Sequence, residues 1–327
     1  MLDRRSLYFY EFNRFPVELA GGRKLGMTSD PIKIDVHLHS NVSSDGEFPP
    51  TQLMRFCAEK GIRLVAVCDH NSMAGVPEAE QTAKTLGLAF LPAAEINCQT
   101  ADGTEIHLIG YGIGRAIADV EKLGETVNRV EEDSNFERLA VLEGFGLQID
   151  RGSLEKIRAG RILAVDMIAE AILSDPANRD HPLIQPYLPG GAKSDQPLIN
   201  FYWDMCTAGK PAYVPIRYPS LKDALTIVKD HGGIGVVAHP GKSIARDQAD
   251  RIIEEMVQAE IAGFEVYSSY HSESMTAFYR APVLKHQLGI TVGSDFHGAI
   301  KPTIEIGSVS CEEDCQQIFR FLEPYIA

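Results

Sequence analysis

The chain's first regular pattern is an alternation in which Ile32, Ile34, Val36 and Leu38 interleave with Lys33, Asp35, His37 and His39. Side chains two apart on a strand share a face, so the segment reads as a strand with one face for packing and one for chemistry. After the polar loop of residues 40–48, Pro49-Pro50 opens a helix expected to bury Leu53, Phe56 and Cys57, and Gly61 stops it. Residues 62–68 read as the next strand, with Asp69-His70-Asn71 where it becomes a loop. Val76, Ala79, Ala83 and Leu86 keep helical spacing before a strand begins at residues 88–91. The rhythm is β-α-β-α.

A further strand at residues 105–109 ends in a glycine-rich turn, and residues 117–142 then read as a long charged helix. Residues 113–210 hold at least two helices, one with the face Val165, Ile168 and Ile172, followed by the turn-rich segment 175–196. This is too long for an ordinary βα connection, so an inserted, largely helical cap subdomain is expected there. The alternation resumes with the helical face Leu221, Ala224, Leu225 and Val228 and a strand at 234–238 ending at His239. A helix at 251–258, a strand at 264–267, a helix at 275–288 and a strand at 290–292 follow, with Asp295 and His297 just beyond. Parallel strands need crossover helices, so an α/β fold is expected, a distorted (β/α) barrel in preference to an open doubly wound sheet.

The expected domains are a discontinuous barrel of residues 31–112 and 211–309, the insertion 113–210, an N-terminal extension 1–30 and a C-terminal helix 310–327. The extension contains Leu7-Tyr8-Phe9-Tyr10 but is broken by Gly21-Gly22 and Gly26, which suits a terminal strand or lid. At the other end, Ser310 and Glu313 have capping-box spacing ahead of the apolar positions Ile318, Phe319 and Leu322.

Composition narrows the function. The 327 residues carry a formal charge of -14, an unsuitable balance for gripping long nucleic acid, whose binding is dominated by phosphate neutralisation. A short phosphorylated ligand needs only a local positive patch. A chain of this size buries roughly 75% of its extended surface, and no apolar run approaches the ~18 residues of a membrane span. Residues 1–5 are not followed by an uninterrupted apolar signal region, so a cytoplasmic location is expected. The six cysteines, Cys57, Cys68, Cys98, Cys206, Cys311 and Cys315, are sparse and suit a reducing compartment. The four-residue spacing of Cys311 and Cys315 is expected to put ordinary side chains along one helix.

The strongest chemical signal is an ordered set of imidazoles and carboxylates near strand ends: His37, His39, Asp45, Asp69, His70, Glu95, His107, His239, Asp295 and His297. His37 and His39 face the same way and can approach one ion, while the carboxylates can bridge ions or anchor rings. Mixed imidazole and carboxylate donors permit Mn, Zn or Fe. Asp69 points oppositely to His70 along the strand, so it is expected to accept hydrogen bonds behind the ligands, with a catalytic contribution. His271 stands outside the set and is the freer candidate for acid chemistry or substrate positioning.

The stretches D-V-H-L-H-S, S-D-G, V-C-D-H-N, A-E-I, I-H-L-I-G, A-H-P-G, F-E-V-Y and G-S-D-F-H-G resemble the polymerase and histidinol phosphatase (PHP) family of metal-dependent phosphoesterases over residues 32–309. The resemblance implies a distorted (β/α)7 barrel with a trinuclear site, Mn preferred. It also implies a ligand set: His37, His39, Glu95 and Asp295 around one metal, Glu95 bridging to a second held by His107 and His239, and Asp45, His70 and His297 around a third. Water activated by the metals, and not a cysteine, is then the expected nucleophile.

Phosphate recognition is expected from Arg161, Arg217 and Lys242, guanidinium as a fork and ammonium as a point charge. In the nucleotide-phosphatase branch that the chain resembles, the insertion carries G-R-P-H-F-A and a later loop Y-V-P-H-R/K-W. Here the matching stretches are Gly160-Arg161-Ile162-Leu163-Ala164 and Tyr213-Val214-Pro215-Ile216-Arg217-Tyr218, so the arginines match and the histidines do not. The leading expectation is hydrolysis of a small phosphorylated substrate, a nucleotide or nucleoside 3',5'-bisphosphate. Histidinol-phosphate phosphatase, short-oligonucleotide exonuclease, zinc amidohydrolase and noncatalytic metal-dependent binding protein are the alternatives.

Overall fold

The computed structural model describes residues 17–19, 23–25 and 32–327, apart from 312 and 313. Two compact units emerge, one built from residues 1–121 and 220–327 and the other from residues 122–219.

Within the N-terminal extension, β1 (Val17–Leu19) and β2 (Arg23–Leu25) pair antiparallel. The first unit is otherwise a sheet of seven strands in sequence order: β3 (Ile34–Leu38), β4 (Leu64–Val67), β5 (Ala89–Gln99), β6 (Glu105–Tyr111), β7 (Ile234–Val237), β8 (Gly263–Ser268) and β9 (Gly289–Gly293). The last strand returns to the first. Leu38 bridges Phe296 in parallel, the His39 amide donates to the Phe296 carbonyl at 3.0 Å, and the Asp295 amide donates to the His37 carbonyl at 2.9 Å. The two histidine-bearing segments H-L-H and D-F-H thus close the barrel-like sheet between them.

The alternation expected in the first strand is present, but both faces are buried: every residue of β3 is inside, the apolar side chains and Asp35 and His37 alike. A barrel explains this, because one face meets the surrounding helices and the other meets the interior. The helices Pro50–Glu59, Val76–Leu86, Ala249–Gln258 and Glu273–Lys285 are the crossovers between parallel neighbours, and Leu221–Asp230 leads into β7. Leu53, Met54 and Cys57 form the buried face of the first, with Phe56 at its margin.

One strand breaks the repeating unit. β6 runs antiparallel to both β5 and β7. The connection from β5 is the tight turn 100–104, in which the Gly103 amide donates to Thr100 O and the Thr100 amide to Thr104 O, both at 3.0 Å. It is far shorter than the dozen or so residues a parallel crossover requires.

The second unit has its own core: Leu139, Leu142, Leu154, Ile168, Ile172, Tyr187 and Phe201 pack together. Ile168 and Ile172 come from the helix Val165–Ser174, on the face that the sequence periodicity marks. Arg138 is buried there and its guanidinium donates to the carbonyls of Ala212 and Val214 at 3.2 and 3.3 Å.

At the C-terminus the helix starts at Cys315 and buries Ile318, Phe319 and Leu322. The expected capping residue Glu313 lies outside the described residues. Cys311 and Cys315 do not sit along one helix as expected. Cys311 precedes the helix, its Cα lies 5.2 Å from that of Cys315, and the two are joined as a disulfide. Among the described residues no helix is long and apolar enough to cross a membrane.

Candidate metal centre

The C-terminal ends of the parallel strands deliver His37 and His39 (β3), His70 (β4), His239 (β7) and Asp295 and His297 (β9) to one end of the barrel. Glu95 lies within β5, and its amide donates to Asp69 O while its carbonyl accepts from Asn71 N. β6 runs the opposite way, so His107, near its beginning, reaches that same end, and its carbonyl accepts from Ala238 N at 2.9 Å.

There the side chains converge. His37 Nε2 and His39 Nε2 are 3.1 Å apart. Glu95 Oε2 lies 3.3 and 3.2 Å from these two nitrogens, and Asp295 Oδ1 lies 3.3 and 3.0 Å from them. On the other oxygen of Glu95, His107 Nδ1 and His239 Nε2 sit at 2.8 and 2.9 Å. A further group gathers at Asp45, whose Oδ2 is 3.2 Å from His297 Nε2 and 3.7 Å from His70 Nε2. Within each of three sets, His37/His39/Glu95/Asp295, His39/Asp45/His70/His297 and His70/Glu95/His107, the donor atoms lie within 4.8 Å of one another. Neighbouring sets share His39, His70 and Glu95.

The outward nitrogens of several rings are engaged. His37 Nδ1 pairs with Glu265 Oε1 at 2.9 Å, His39 Nδ1 with Ser43 Oγ at 3.2 Å, and His297 Nδ1 with the Asp295 carbonyl at 2.8 Å. Each of these oxygens accepts, since Ser43 gives its own hydroxyl proton to Asp69 at 3.1 Å. The ring proton therefore belongs on Nδ1, and the lone pair of Nε2 faces the centre. Glu95 Oε2, Asp295 Oδ1, Asp45 Oδ1, His70 Nδ1, His239 Nδ1 and His297 Nε2 are all buried with no hydrogen-bond partner. Leaving one such group unsatisfied costs about 1–3 kcal/mol. Electron pairs from imidazole and carboxylate, converging and otherwise uncompensated, fit divalent cations.

The electrostatics agree. Burial opposes ionisation of Glu95 and Asp295, yet facing imidazoles hold both carboxyls well below the usual range: His107, His37 and His70 around Glu95, His37 and His39 around Asp295. Burial likewise disfavours a charged His39, but Asp295 and Glu95 outweigh it and carry that ring up to about 9; Glu95 does most to lift His107 against its burial, also to about 9. Burial dominates at His70 and His239, which fall to about 3 and about 4. Ionised carboxylates thus demand positive charge here, which protons on the rings or metal cations can supply in competition.

The backbone at these positions is strained. His239, Asp295 and Asn71, the neighbour of His70, adopt φ of 24°, 57° and 53°. Such conformations cost about 1–3 kcal/mol each and cluster at functional sites.

Asp69 touches no imidazole. Its carboxylate accepts from the Ser40 amide and hydroxyl, both at 2.7 Å, and from Ser43, so it reaches His39 through the serine. Both nitrogens of His271 are committed to backbone: Nδ1 to Val266 O at 2.8 Å and Nε2 to the Gly241 amide at 3.0 Å. Lys242 is exposed, its ammonium 4.9 Å from the centroid of the Tyr270 ring. Arg161 and Arg217 are exposed in the second unit, where Arg161 donates to the carbonyls of Arg158 and Ile157 at 3.2 and 3.0 Å.

Three contributors were not singled out in the sequence: Glu265, Ser43 and Lys301. Glu265 supports two positions at once, since its second oxygen accepts from the His239 amide at 2.8 Å. A buried carboxylate between the apolar Phe264 and Val266 was its signal. Tyr270 and Lys301 both donate to Asp295 Oδ2 at 2.6 Å, and Lys301 does not announce itself locally.

Residues 35–147 match the PHP domain family. Over 298 residues it is 28% identical to a 3',5'-nucleoside bisphosphate phosphatase of Chromobacterium violaceum, covering 90% of this chain and 97% of the relative. It is 25% identical to a phosphoribosyl 1,2-cyclic phosphate 1,2-diphosphodiesterase of Eggerthella lenta, covering 84% and 97% of the two. A 5'-3' exoribonuclease of Haemophilus influenzae is 24% identical over 81% of this chain and 90% of that one. Among solved structures, an amidohydrolase from Chromobacterium violaceum with bound sulfate superposes with a TM-score of 0.70 at 26% identity, covering 90% and 97% of the two chains.

Proposed function

We propose that the chain is a metal-dependent phosphoesterase acting on a small phosphorylated substrate, foremost a nucleotide or nucleoside 3',5'-bisphosphate. The observation that carries this reading is the convergence of buried, unpartnered donors from His70, Glu95, His239, Asp295, His297 and Asp45 at one end of the barrel. In this reading His37, His39, Glu95 and Asp295 hold one cation, Glu95, His107 and His239 a second, and Asp45, His70 and His297 a third, with Mn preferred over Zn or Fe. Bound there, divalent cations polarise phosphoryl oxygens and lower the proton affinity of water. The exposed guanidinium groups of Arg161 and Arg217 remain candidates for phosphate contact.

The chain's own residues do the orienting. Glu265 and Ser43 keep ring protons on Nδ1 of His37 and His39 and so keep Nε2 available for coordination. Asp295 divides its labour, Oδ1 toward the histidines and Oδ2 toward Tyr270 and Lys301. With both nitrogens engaged, His271 holds the turn at Gly241 that follows His239. Fixed donors of this kind need no reorganisation as charge develops on the phosphoryl group.

The relatives favour phosphate esters of nucleotides, since one is named a 3',5'-nucleoside bisphosphate phosphatase and another a 5'-3' exoribonuclease. A panel of adenosine 3',5'-bisphosphate, simple nucleotides, histidinol phosphate and short labelled RNA, incubated with purified protein and Mn, tests the assignment. Phosphate release is expected to be fastest from the bisphosphate. Release from histidinol phosphate alone overturns the nucleotide preference, and processive loss of nucleotides from RNA replaces it with the exonuclease. Tight metal binding without turnover of any phosphate ester supports the binding-protein reading.

A further inference from the structure

Beside the candidate ligands, two ammonium groups are gathered against one aromatic ring. Lys242 Nζ lies 4.9 Å and Lys301 Nζ 5.5 Å from the centroid of Tyr270. The ring is also a wall of the centre, edge-on to His239 with centroids 5.5 Å apart, and its hydroxyl donates to Asp295.

The lysines are held differently. Lys301 follows the short turn Gly298–Ile300, is largely covered, and is anchored on Asp295 Oδ2. That bond uses one of its three N–H groups. Lys242 is exposed and forms no ion pair with a carboxylate among the described residues. Its backbone is nonetheless fixed: the Lys242 amide donates to His239 O at 2.9 Å, and the preceding Gly241 amide donates to His271 Nε2 at 3.0 Å. A side chain at Gly241 would come within 2.8 Å of the His271 ring, so the close approach that steadies this turn needs glycine. A flexible, unpaired ammonium is thus presented from a rigid turn next to a candidate ligand.

Acidic side chains crowd the centre, with Asp45, Glu95, Glu265 and Asp295 all contributing, in a chain whose net charge is already -14. The cations implied there would serve the phosphate that reacts. A second phosphate on the same substrate faces that acidic background unless further positive charge is supplied. We propose that Lys242 and Lys301, set against Tyr270, form a cationic subsite that takes the substrate's second phosphate, the one that is not cleaved. This rests on the phosphoesterase reading and deepens it: the subsite selects doubly phosphorylated small molecules over singly phosphorylated ones. Lysine suits the task because an ammonium on a long stem meets a phosphate as a point charge without a fixed approach angle.

The test compares the full chain with Lys242→Met, Lys242→Arg and Lys301→Met in the presence of Mn, using adenosine 3',5'-bisphosphate and adenosine 5'-monophosphate. The quantity read is the ratio of kcat/KM for the two substrates, with metal content measured in parallel. Lys242→Met is expected to lower this ratio at least tenfold through KM, with Lys242→Arg retaining most of it and metal content unchanged. Lys301→Met is expected to lower it as well. A wild-type chain without preference for the bisphosphate, or a ratio that stays within twofold in both methionine variants, overturns the subsite while leaving the phosphoesterase intact. If the wild type hydrolyses neither compound, the nucleotide-phosphatase reading fails separately. Calorimetric binding of the same two compounds then decides the subsite: a bisphosphate preference abolished by Lys242→Met upholds it, and equal affinities refute it.

Discussion

His37 Nε2 faces His39 Nε2 across 3.1 Å, and both rings have their other nitrogen committed, to Glu265 and to Ser43. Two neutral imidazoles so arranged point lone pairs at each other. A proton or a cation must lie between electron pairs held this way, and the carboxylates of Glu95 and Asp295 close around the same space.

Replacing His39 with alanine removes a donor shared by two of the candidate groups. Metal retained after dialysis, measured by inductively coupled plasma mass spectrometry, is expected to fall together with phosphate release, by more than the 10–100-fold typical of an outer hydrogen-bond partner. Unchanged values for both would defeat the metal assignment. Chelation of the wild type should abolish turnover, and Mn should restore it.

Glu265→Ala tests orientation as distinct from ligation. The variant keeps every proposed ligand but leaves the His37 Nδ1 and His239 amide donors without their acceptor. Metal affinity is expected to drop by about 10–100-fold, with Glu265→Gln recovering part of it because an amide oxygen still accepts. Equal affinity in wild type and Glu265→Ala would show that the rings are held without this carboxylate.

The Arg280 guanidinium donates to both oxygens of Asp314, at 2.7 and 2.9 Å, and Tyr267 donates to the same group at 2.8 Å. Arg280 is the main reason the Asp314 carboxyl lies below its ordinary value. A depressed folded-state pKa stabilises above the unfolded value, near 3.9, and the stabilisation disappears as the pH falls through the folded value. Asp314→Asn should therefore cost about 1–3 kcal/mol at pH 7, and the gap from wild type should narrow as the pH drops below about 4. Denaturant midpoints measured at pH 7 and pH 3 decide it, and a gap that persists undiminished at pH 3 counts against the ion pair.

The Cys311–Cys315 bond closes a very small loop. Loop-closure entropy assigns it about 2 kcal/mol. Alkylation of the denatured, unreduced protein should label Cys57, Cys68, Cys98 and Cys206 and spare Cys311 and Cys315, and a double serine variant should lose stability of that order. Six labelled thiols would show that the pair is reduced in solution.

The local pattern of apolar and polar residues determined the order of strands and helices, the helical character of the stretch from 117 to 142, and the candidate ligands at strand ends. All of these follow from periodicity, which records the faces an element must bury. His37 and His39 stood out because a strand brings residues two apart to one face. The reversal of β6 was encoded in the shortness of the 100–104 turn, but only pairing with β5 and β7 turned that brevity into a histidine at the right end of the barrel. Glu265 behind His37, Lys301 on Asp295 and Cys311 joined to Cys315 were decided by tertiary structure alone. Glu265 and His37 lie on different strands whose meeting depends on how the barrel closes, whereas Lys301 reaches Asp295 by folding back over the turn Gly298–Ile300. The third depends on Cys311 standing outside the helix that Cys315 begins, which no periodicity describes.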